Sequence, residues 1–379
     1  MDTLISPPPT GPRPPRRRRF RLPVGRGLIA VIAVICLLAL AGGWAIAQAV
    51  SAPRAVADPT ALAAPQSGIA GEVSGQSATK HLEALQRIAD ANGGNRASGT
   101  SGYAASVDYV VGVLKAAGWD VKTEQFTHTD RHRGDDGDHD RDQDSDRDAA
   151  PTADINIIAQ TKTGDPNHVV MAGAHLDSVP KGPGINDNAT GVAALLEIAT
   201  QTGGAPDVPN ALRFAFWGGE ELGMYGSTAY VAGLPTAERQ KLKAYLNLDM
   251  LGSPNPGYFV QGGVGDDLNE SGPAGSAEVA KVLVEQLAVV GVKAENVEFD
   301  DGSDFAAFLE AGIPTGGLYA GDKKRKSAAQ ATLWGGQEGE RFDRCYHQAC
   351  DTIANVDAVT FDRNTDATAA TLIRLATTP

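Results

Sequence analysis

What this chain lacks narrows it before any motif is read. Basic residues are scarce beyond position 57. The whole chain carries 33 Lys+Arg against 46 Asp+Glu. The first 57 residues hold eight arginines, no lysine and one acid (Asp2), so the remainder has 33 − 8 = 25 basic and 46 − 1 = 45 acidic residues, a net of −20. So acidic a domain lacks the electrostatic footprint of a nucleic-acid binder. Its one short basic run, Lys323-Lys324-Arg325-Lys326, reads as a solvated loop. Cysteine is nearly absent, at three residues. Cys36 lies in an apolar stretch where it is inert. Cys345 and Cys350 are either a small-loop disulfide, formed in an oxidising compartment, or two free thiols. A disulfide there would act locally, pinning the loop that carries Tyr346 and His347. No internal repeat is evident. Residues 130–148 contain no apolar residue. Such a segment cannot bury enough surface to offset its ordering entropy, so 130–149 reads as a disordered acidic surface insertion rather than a metal site.

Long apolar runs are also missing, with one exception. Between Gly27 and Ala47 there is no charged residue, which is about the length that crosses a bilayer as a helix. Before it lie a proline-rich stretch, Pro7 to Pro15, and a dense block of Arg16, Arg17, Arg18, Arg19, Arg21 and Arg26. The basic flank predicts a cytoplasmic N-terminus. The organisation is then a basic, proline-rich tail (1–26), a transmembrane anchor or signal segment (27–50), a linker (51–71) and one globular domain (72–379). The apolar stretch exceeds the usual signal-peptide core, yet small residues at Ala45-Ile46-Ala47 and Ala55-Val56-Ala57 suit cleavage. Anchor and cleaved signal both place the domain outside the cytoplasm.

What is present is an alternation. Amphipathic helices are expected over Ser77–Asn92 and Gly102–Ala117, then a strand over Val121–Thr127. Beyond the insertion, strands are expected at Ile155–Gln160, Val169–Ala174, Ala211–Trp217, Ala244–Asp249 and Pro314–Ala320. Helices are expected between and after them at Thr190–Thr200, Glu221–Ala232, Ala277–Val290 and Ala367–Ala376. This order predicts a single α/β domain with a mostly parallel central sheet covered by helices on both faces.

Five ligand-type residues fall along this pattern: His175 in AHLDS, Asp187 in GINDNATG, Glu221 in WGGEELG, Asp249 in LNLDMLG and His347 in CYHQACD. Three strand ends in succession deliver His175, the Glu220-Glu221 pair and Asp249, where open α/β sheets build sites. Two imidazoles and three carboxylates suit two zinc ions. Two such ions carry four positive charges against three carboxylates, so one hydroxide brings the set near neutrality. Asp187, in the middle of the set, is the natural bridge. Asp177 is placed to accept the other N–H of the His175 imidazole and hold its tautomer. Glu220, beside a ligand but pointing elsewhere, is free for proton transfer.

The segments NGGNRASGTSGYAASVDYV, GDPNHVVMAGAHLDSV, GINDNATG, LRFAFWGGEELG, LNLDMLGSPNPGYFV, KSAAQATLWGG and FDRCYHQACDT are similar to those of the bacterial secreted di-zinc aminopeptidases, most of all the calcium-stabilised, leucine-preferring type. The resemblance runs from about Lys80 to the C-terminus. It implies a zinc exopeptidase fold that acts on peptides with a free N-terminus, as a monomer. It implies one zinc on His175 and Asp249, the other on Glu221 and His347, and Asp187 between them. Glu220 is then general base and acid, and Tyr346 stabilises the oxyanion. A Cys345–Cys350 disulfide and a cis peptide at Asp187-Asn188 are implied too. So is a calcium site on Asp362 and Asp366, with Glu72 in the third position.

Two departures stand out. Gly302-Ser303-Asp304-Phe305 replaces a family segment with an arginine and a histidine, neither of them a ligand, so a change is expected at the rim of the substrate pocket. The N-terminal span and acidic insertion also lie outside the family pattern. Other readings are a carboxypeptidase or dipeptidase, which needs a cation for the substrate carboxylate that cannot be identified here, and a glutaminyl-cyclase-like activity, which the complete ligand set disfavours. A non-catalytic receptor or binding domain would be expected to have lost ligands or base, and all are present.

Overall fold

The computed structural model describes residues 73–128, 152–262, 272–299 and 302–378. The basic tail, the apolar segment 27–50, the linker, Glu72 and the insertion lie outside the described residues. Among the described residues no helix is long and apolar enough to cross a membrane.

One mixed sheet organises the domain. Its strands are β1 (Asp120–His128), β2 (Thr152–Gln160), β3 (Asp165–His175), β4 (Asn210–Trp217), β5 (Leu242–Leu248), β6 (Phe259–Gln261), β7 (Glu295–Val297) and β8 (Thr315–Tyr319), in the spatial order β1-β2-β4-β3-β5-β8-β6-β7. The centre, β4-β3-β5-β8, is parallel throughout. Antiparallel pairs flank it, β1 with β2 and β2 with β4 on one side, β6 with β8 on the other. The insertion joins the ends of the β1–β2 hairpin, whose last pair is His128 with Thr152. The short strands β6 and β7 were not expected: three residues each are too few to show a period.

Alternation along the central strands feeds two cores. On one face Val170, Ala172, Ala174, Leu212, Phe214, Phe216, Leu246 and Leu248 pack under α1 (Gly75–Ala91), α2 (Ser101–Ala116), α3 (Thr190–Thr202), α6 (Ser276–Val289) and α9 (Ala358–Thr377). On the other face Val169, Met171, Trp217 and Tyr245 pack under α4 (Tyr225–Gly233) and α7 (Phe305–Glu310). Two further helices, α5 (Thr236–Arg239) and α8 (Ala328–Trp334), are short and carry no buried residue. Both faces are thus covered, which is why the parallel strands tolerate near-continuous apolar sequence.

Two helix boundaries differ from expectation. The helix after β4 begins at Tyr225, not Glu221. Gly219 (φ 68°) and Gly223 (φ 122°) hold residues 218–224 in a turn, and a Cβ at Gly226 would lie 2.3 Å from the Gly218 carbonyl oxygen. The last helix runs Ala358–Thr377 and starts nine residues before the expected Ala367. Asp357 caps it, its carboxylate accepting from Thr360 N at 2.8 Å. Its buried face contains Asn364, Thr365, Thr368 and Thr371, polar side chains that break the apolar period on which the expectation rested.

Candidate metal centre

The parallel strands end side by side, so the residues just beyond one strand meet those just beyond its neighbour. β3 ends on His175, directly opposite Trp217 of β4. β5 leads into Asp249, whose N–H donates to Leu318 O of β8 at 3.3 Å. Asp187 lies in a tight turn, residues 185–189, ahead of α3, and the Asp187-Asn188 peptide is cis, as the family resemblance implies. His347 comes from the loop closed by the Cys345–Cys350 disulfide.

All five candidate ligands converge, and they do so as two groups. His175, Asp187 and Asp249 form one and Asp187, Glu221 and His347 the other, with the ligand atoms of each group within 4.8 Å of one another. Asp187 belongs to both. Its Oδ1 is 3.1 Å from His175 Nε2, and its Oδ2 is 3.3 Å from His347 Nε2. Asp249 Oδ1 lies 3.4 Å from His175 Nε2 and Glu221 Oε2 lies 3.0 Å from His347 Nε2. The donor chemistry fits a cation. Buried His175 Nε2, Glu221 Oε1 and Asp249 Oδ1 make no hydrogen bond within the protein among the described residues. Isolated buried polar atoms are costly, and here three of them face one cluster.

The electrostatics are those of a buried acidic cluster. Burial, reinforced by Asp187, raises the Glu221 carboxyl to about 7, with the His347 and His175 charges opposing. Burial also drives Glu220 well above the usual carboxylate range, with Asp249, Asp304 and Glu221 adding and the His175 charge opposing. For Asp187 burial pushes the other way, but the close approach and charge of the two imidazoles outweigh it and its pKa is lowered. Burial likewise lowers His175 and His347, yet the surrounding carboxylates prevail and raise both, His347 to about 11. A divalent cation is what such a cluster favours, since it neutralises several carboxylates at once.

The supporting contacts explain how the ligands are aimed. Asp177 has a different role from the expected one. The nearer acceptor for His175 Nδ1 is the Asp177 backbone oxygen, at 3.1 Å, while the carboxylate Oδ1 is 3.7 Å away. That carboxylate instead accepts the backbone N–H groups of Glu220 and Glu221, each at 3.2 Å. It therefore fixes the turn that splits the two glutamates, one toward a ligand group and one, Glu220, with Oε2 3.9 Å from His175 Nε2. A second chain of bonds reaches Asp249 through the sheet. Trp217 Nε1 donates to Tyr245 Oη (2.9 Å) and Tyr245 Oη to Asn247 Oδ1 (3.0 Å). Asn247 Nδ2 donates to Ser303 Oγ (2.9 Å), and Ser303 Oγ to Asp249 Oδ2 (2.7 Å). Gly173 makes this possible: a Cβ there would sit 2.5 Å from both Trp217 Nε1 and Tyr245 Oη.

Sequence reasoning missed the asparagines around Asp187. Asn188 donates to Leu248 O (2.8 Å) and accepts from Gly191 N and Met250 N, which stitches the turn to the end of β5. Asn186 donates to Asp343 Oδ2 (2.7 Å) and Ser253 Oγ (3.1 Å). The available signal was the unbroken polar run Asn186-Asp187-Asn188 inside an otherwise apolar stretch. Tyr346 stacks on the His347 ring at 3.8 Å, and burial together with Asp187, Glu221, Glu220 and Asp249 raises its phenol far above its usual range. Phe305, expected at the pocket rim, is buried and packs on Phe299 at 5.2 Å, so it serves the core. Asp362 and Asp366 lie on α9 near the start of α1: Asp362 Oδ1 accepts from Gln76 N at 3.3 Å, and Asp366 Oδ1 is buried without a hydrogen bond among the described residues.

Candidate ligands at the strand ends, grouped around one carboxylate on a sheet covered by helices on both faces, are an arrangement that could hold metal ions for hydrolysis. The model of peptidase family M28 matches residues 156–372. The leupeptin-inactivating enzyme 1 of Streptomyces exfoliatus is 43% identical over 350 residues, 92% of this chain and 70% of that protein. The probable lipoprotein aminopeptidase LpqL of Mycobacterium tuberculosis is 53% identical over 207 residues, 53% of this chain but only 41% of that protein. Among solved structures, BSAP, a zinc aminopeptidase from Bacillus subtilis, superposes with a TM-score of 0.63 at 18% identity over 80% of this chain and 95% of that one, a likeness of fold. The chain belongs to peptidase family M28. It is accordingly an enzyme, a hydrolase of the peptidase class.

Proposed function

We propose that this protein removes the N-terminal residue from peptides, preferring large apolar residues such as leucine, with two zinc ions in one site. His175 and Asp249 would hold one ion, Glu221 and His347 the other, and Asp187 both. The observation that carries this reading is the Asp187 carboxylate, which turns one oxygen to each histidine. Bound zinc supplies Lewis acidity toward the scissile carbonyl and an acidified water as nucleophile.

The chain's own residues do the rest. Glu220 takes the proton from the attacking water and returns it to the leaving amine. Its raised pKa suits a group that must both accept and donate. Tyr346 keeps its phenolic proton and donates to the oxyanion that develops on the substrate carbonyl. Glu220 and Asp249 offer carboxylate oxygens to the substrate's free ammonium, which is what limits cleavage to a chain end. Asp362 and Asp366, with Glu72, are the candidates for a stabilising calcium. The Cys345–Cys350 disulfide supports action outside the cytoplasm, after export through segment 27–50, either anchored or released.

A panel of aminoacyl-4-nitroanilides, run with and without a zinc chelator, tests the reading. Leucine-4-nitroanilide should be hydrolysed, chelator should abolish the rate, zinc should restore it, and the N-acetylated substrate should not react. Equal cleavage of free and acetylated substrates would refute the exopeptidase assignment.

A further inference from the structure

Two fully or nearly fully buried charges outside the ligand set lie on opposite sides of the Asp187 turn. Arg96 is 0% exposed and Asp351 is 2% exposed. Neither forms a direct ion pair among the described residues; Arg96 directs its charge to backbone carbonyls, and Asp351 directs its own to backbone N–H groups and, through Oδ1, to Asn355 Nδ2 at 3.3 Å. Arg96 donates from Nε to Pro183 O (2.9 Å), from Nη2 to Gly184 O (2.6 Å) and from Nη1 to Leu176 O. Its own backbone is tied to the same segment, its N–H donating to Ser178 Oγ (2.9 Å) and its carbonyl accepting from Ser178 N (3.3 Å). Asp351 takes the opposite groups of the next residues. Its backbone oxygen accepts from Ile185 N (3.1 Å), its Oδ1 from Asn186 N (2.8 Å) and its Oδ2 from Asp187 N (3.0 Å).

The order along the chain carries the inference. Two consecutive carbonyls, 183 and 184, point at a guanidinium. The next three N–H groups, 185 to 187, point at an aspartate. A guanidinium is a strong partner for peptide oxygens and a carboxylate for peptide N–H groups; the 184–185 peptide, bonded at its oxygen to Arg96 and at its N–H to the Asp351 backbone oxygen, joins the two. Asp351, with Asp177, Asp187 and Glu221, is among the charges that oppose the cost of burying the Arg96 guanidinium. We propose that Arg96 and Asp351 are a paired positioning device, a cation and an anion that clamp the 183–187 backbone between them and so set where the Asp187 carboxylate stands. Asp351 also directly follows Cys350 of the disulfide loop that presents His347, so the clamp holds one ligand against another. The inference rests on the reading of Asp187 as the shared metal ligand.

Two measurements on the full chain decide it. The first is zinc affinity by competition with a chelator, for wild type, Arg96→Met, Asp351→Asn and the double variant. Loss of partners that orient a ligand typically lowers metal affinity about 10- to 100-fold, and each single variant should do so. The double variant should be little worse than the weaker single, because each charge acts through the other. The second is amide hydrogen exchange on the metal-free protein. Either substitution should speed exchange at residues 185–187 and at 345–350 together. Should a neutral variant fail to fold, Arg96→Lys and Asp351→Glu, which keep the charge but misplace the donors or acceptors, carry the same readouts. A lowered melting temperature with unchanged zinc affinity overturns the proposal, as do single effects that multiply in the double variant. A wild type that holds no zinc refutes the shared-ligand reading instead; the metal-free exchange result then decides the clamp alone.

Discussion

Replacing Glu220 with glutamine is the sharpest test of the proposed chemistry. Glutamine keeps the size of the side chain and removes its negative charge, and with it the capacity to take a proton, while a weaker hold on the substrate ammonium would be read in KM. The backbone N–H of residue 220 still donates to Asp177 Oδ1 at 3.2 Å, so the turn that aims Glu221 is retained. Residue 220 belongs to neither ligand group, so bound zinc should be unchanged by elemental analysis. General base catalysis contributes about 10²- to 10⁴-fold, and at 1.36 kcal/mol per tenfold this raises the barrier by about 2.7–5.4 kcal/mol. The assay is initial-rate hydrolysis of leucine-4-nitroanilide, with kcat and KM resolved separately. The expected result is a kcat lower by that factor with zinc content intact. A kcat within a few-fold of wild type would refute the assignment, because no other carboxylate outside the two ligand groups approaches His175 Nε2 within 4 Å among the described residues. Loss of zinc from the variant would refute it differently, by making Glu220 a ligand.

Other outcomes rest on the packing and charge. Phe308 is fully buried and stacked on Tyr245 at 3.5 Å, so Phe308→Ala should cost about 3–5 kcal/mol in denaturant unfolding; it should also weaken zinc retention, because Tyr245 is part of the chain of bonds that reaches Asp249 through Asn247 and Ser303. Replacing Cys345 and Cys350 by serine releases a loop of about six residues, worth about 2 kcal/mol of chain entropy, read as a lower melting temperature that reducing agent reproduces in wild type. Burial, with Lys80 adding and Glu197 opposing, lowers the His81 pKa from 6.5 to about 4. Its neutral form is thus the folded one: the contribution is fully present above pH 6.5 and is lost as pH falls through 4, up to about 3 kcal/mol. His81→Gln should flatten that part of the stability profile, and an unchanged profile would show that another group titrates there.

The residue types, and much of the order, were legible in the sequence. A strand leading into His175, a strand leading into Glu220 and Glu221 and a strand leading into Asp249 are each marked by an apolar run bounded by polar residues, a local signal that one chain segment contains by itself. The three-residue strands β6 and β7 were not legible, because pairing with β8 and with each other makes them strands, not any period of their own. The early start of α9 was hidden by buried threonines and Asn364, whose hydrogen bond to Leu251 O (2.9 Å) exists only once the sheet is in place.

The sequence by itself determined which groups were available: two imidazoles, three carboxylates, a spare glutamate and a tyrosine beside a histidine. Parallel pairing of β3 with β4 and β5 then decided that they meet, since aligned strand ends bring residues 175, 220–221 and 249 together although nothing in their spacing along the chain requires it. Tertiary structure alone decided how each is held. It sent the Asp177 carboxylate to two backbone N–H groups rather than to the imidazole, moved Phe305 from the pocket rim into the core, and strung the Asp187 turn between Arg96 and Asp351. Phe305 is drawn inward by the burial of apolar surface, and the two polar arrangements share another reason. A buried polar group must find a partner, and the partners here come from segments as far as 165 residues away in the chain.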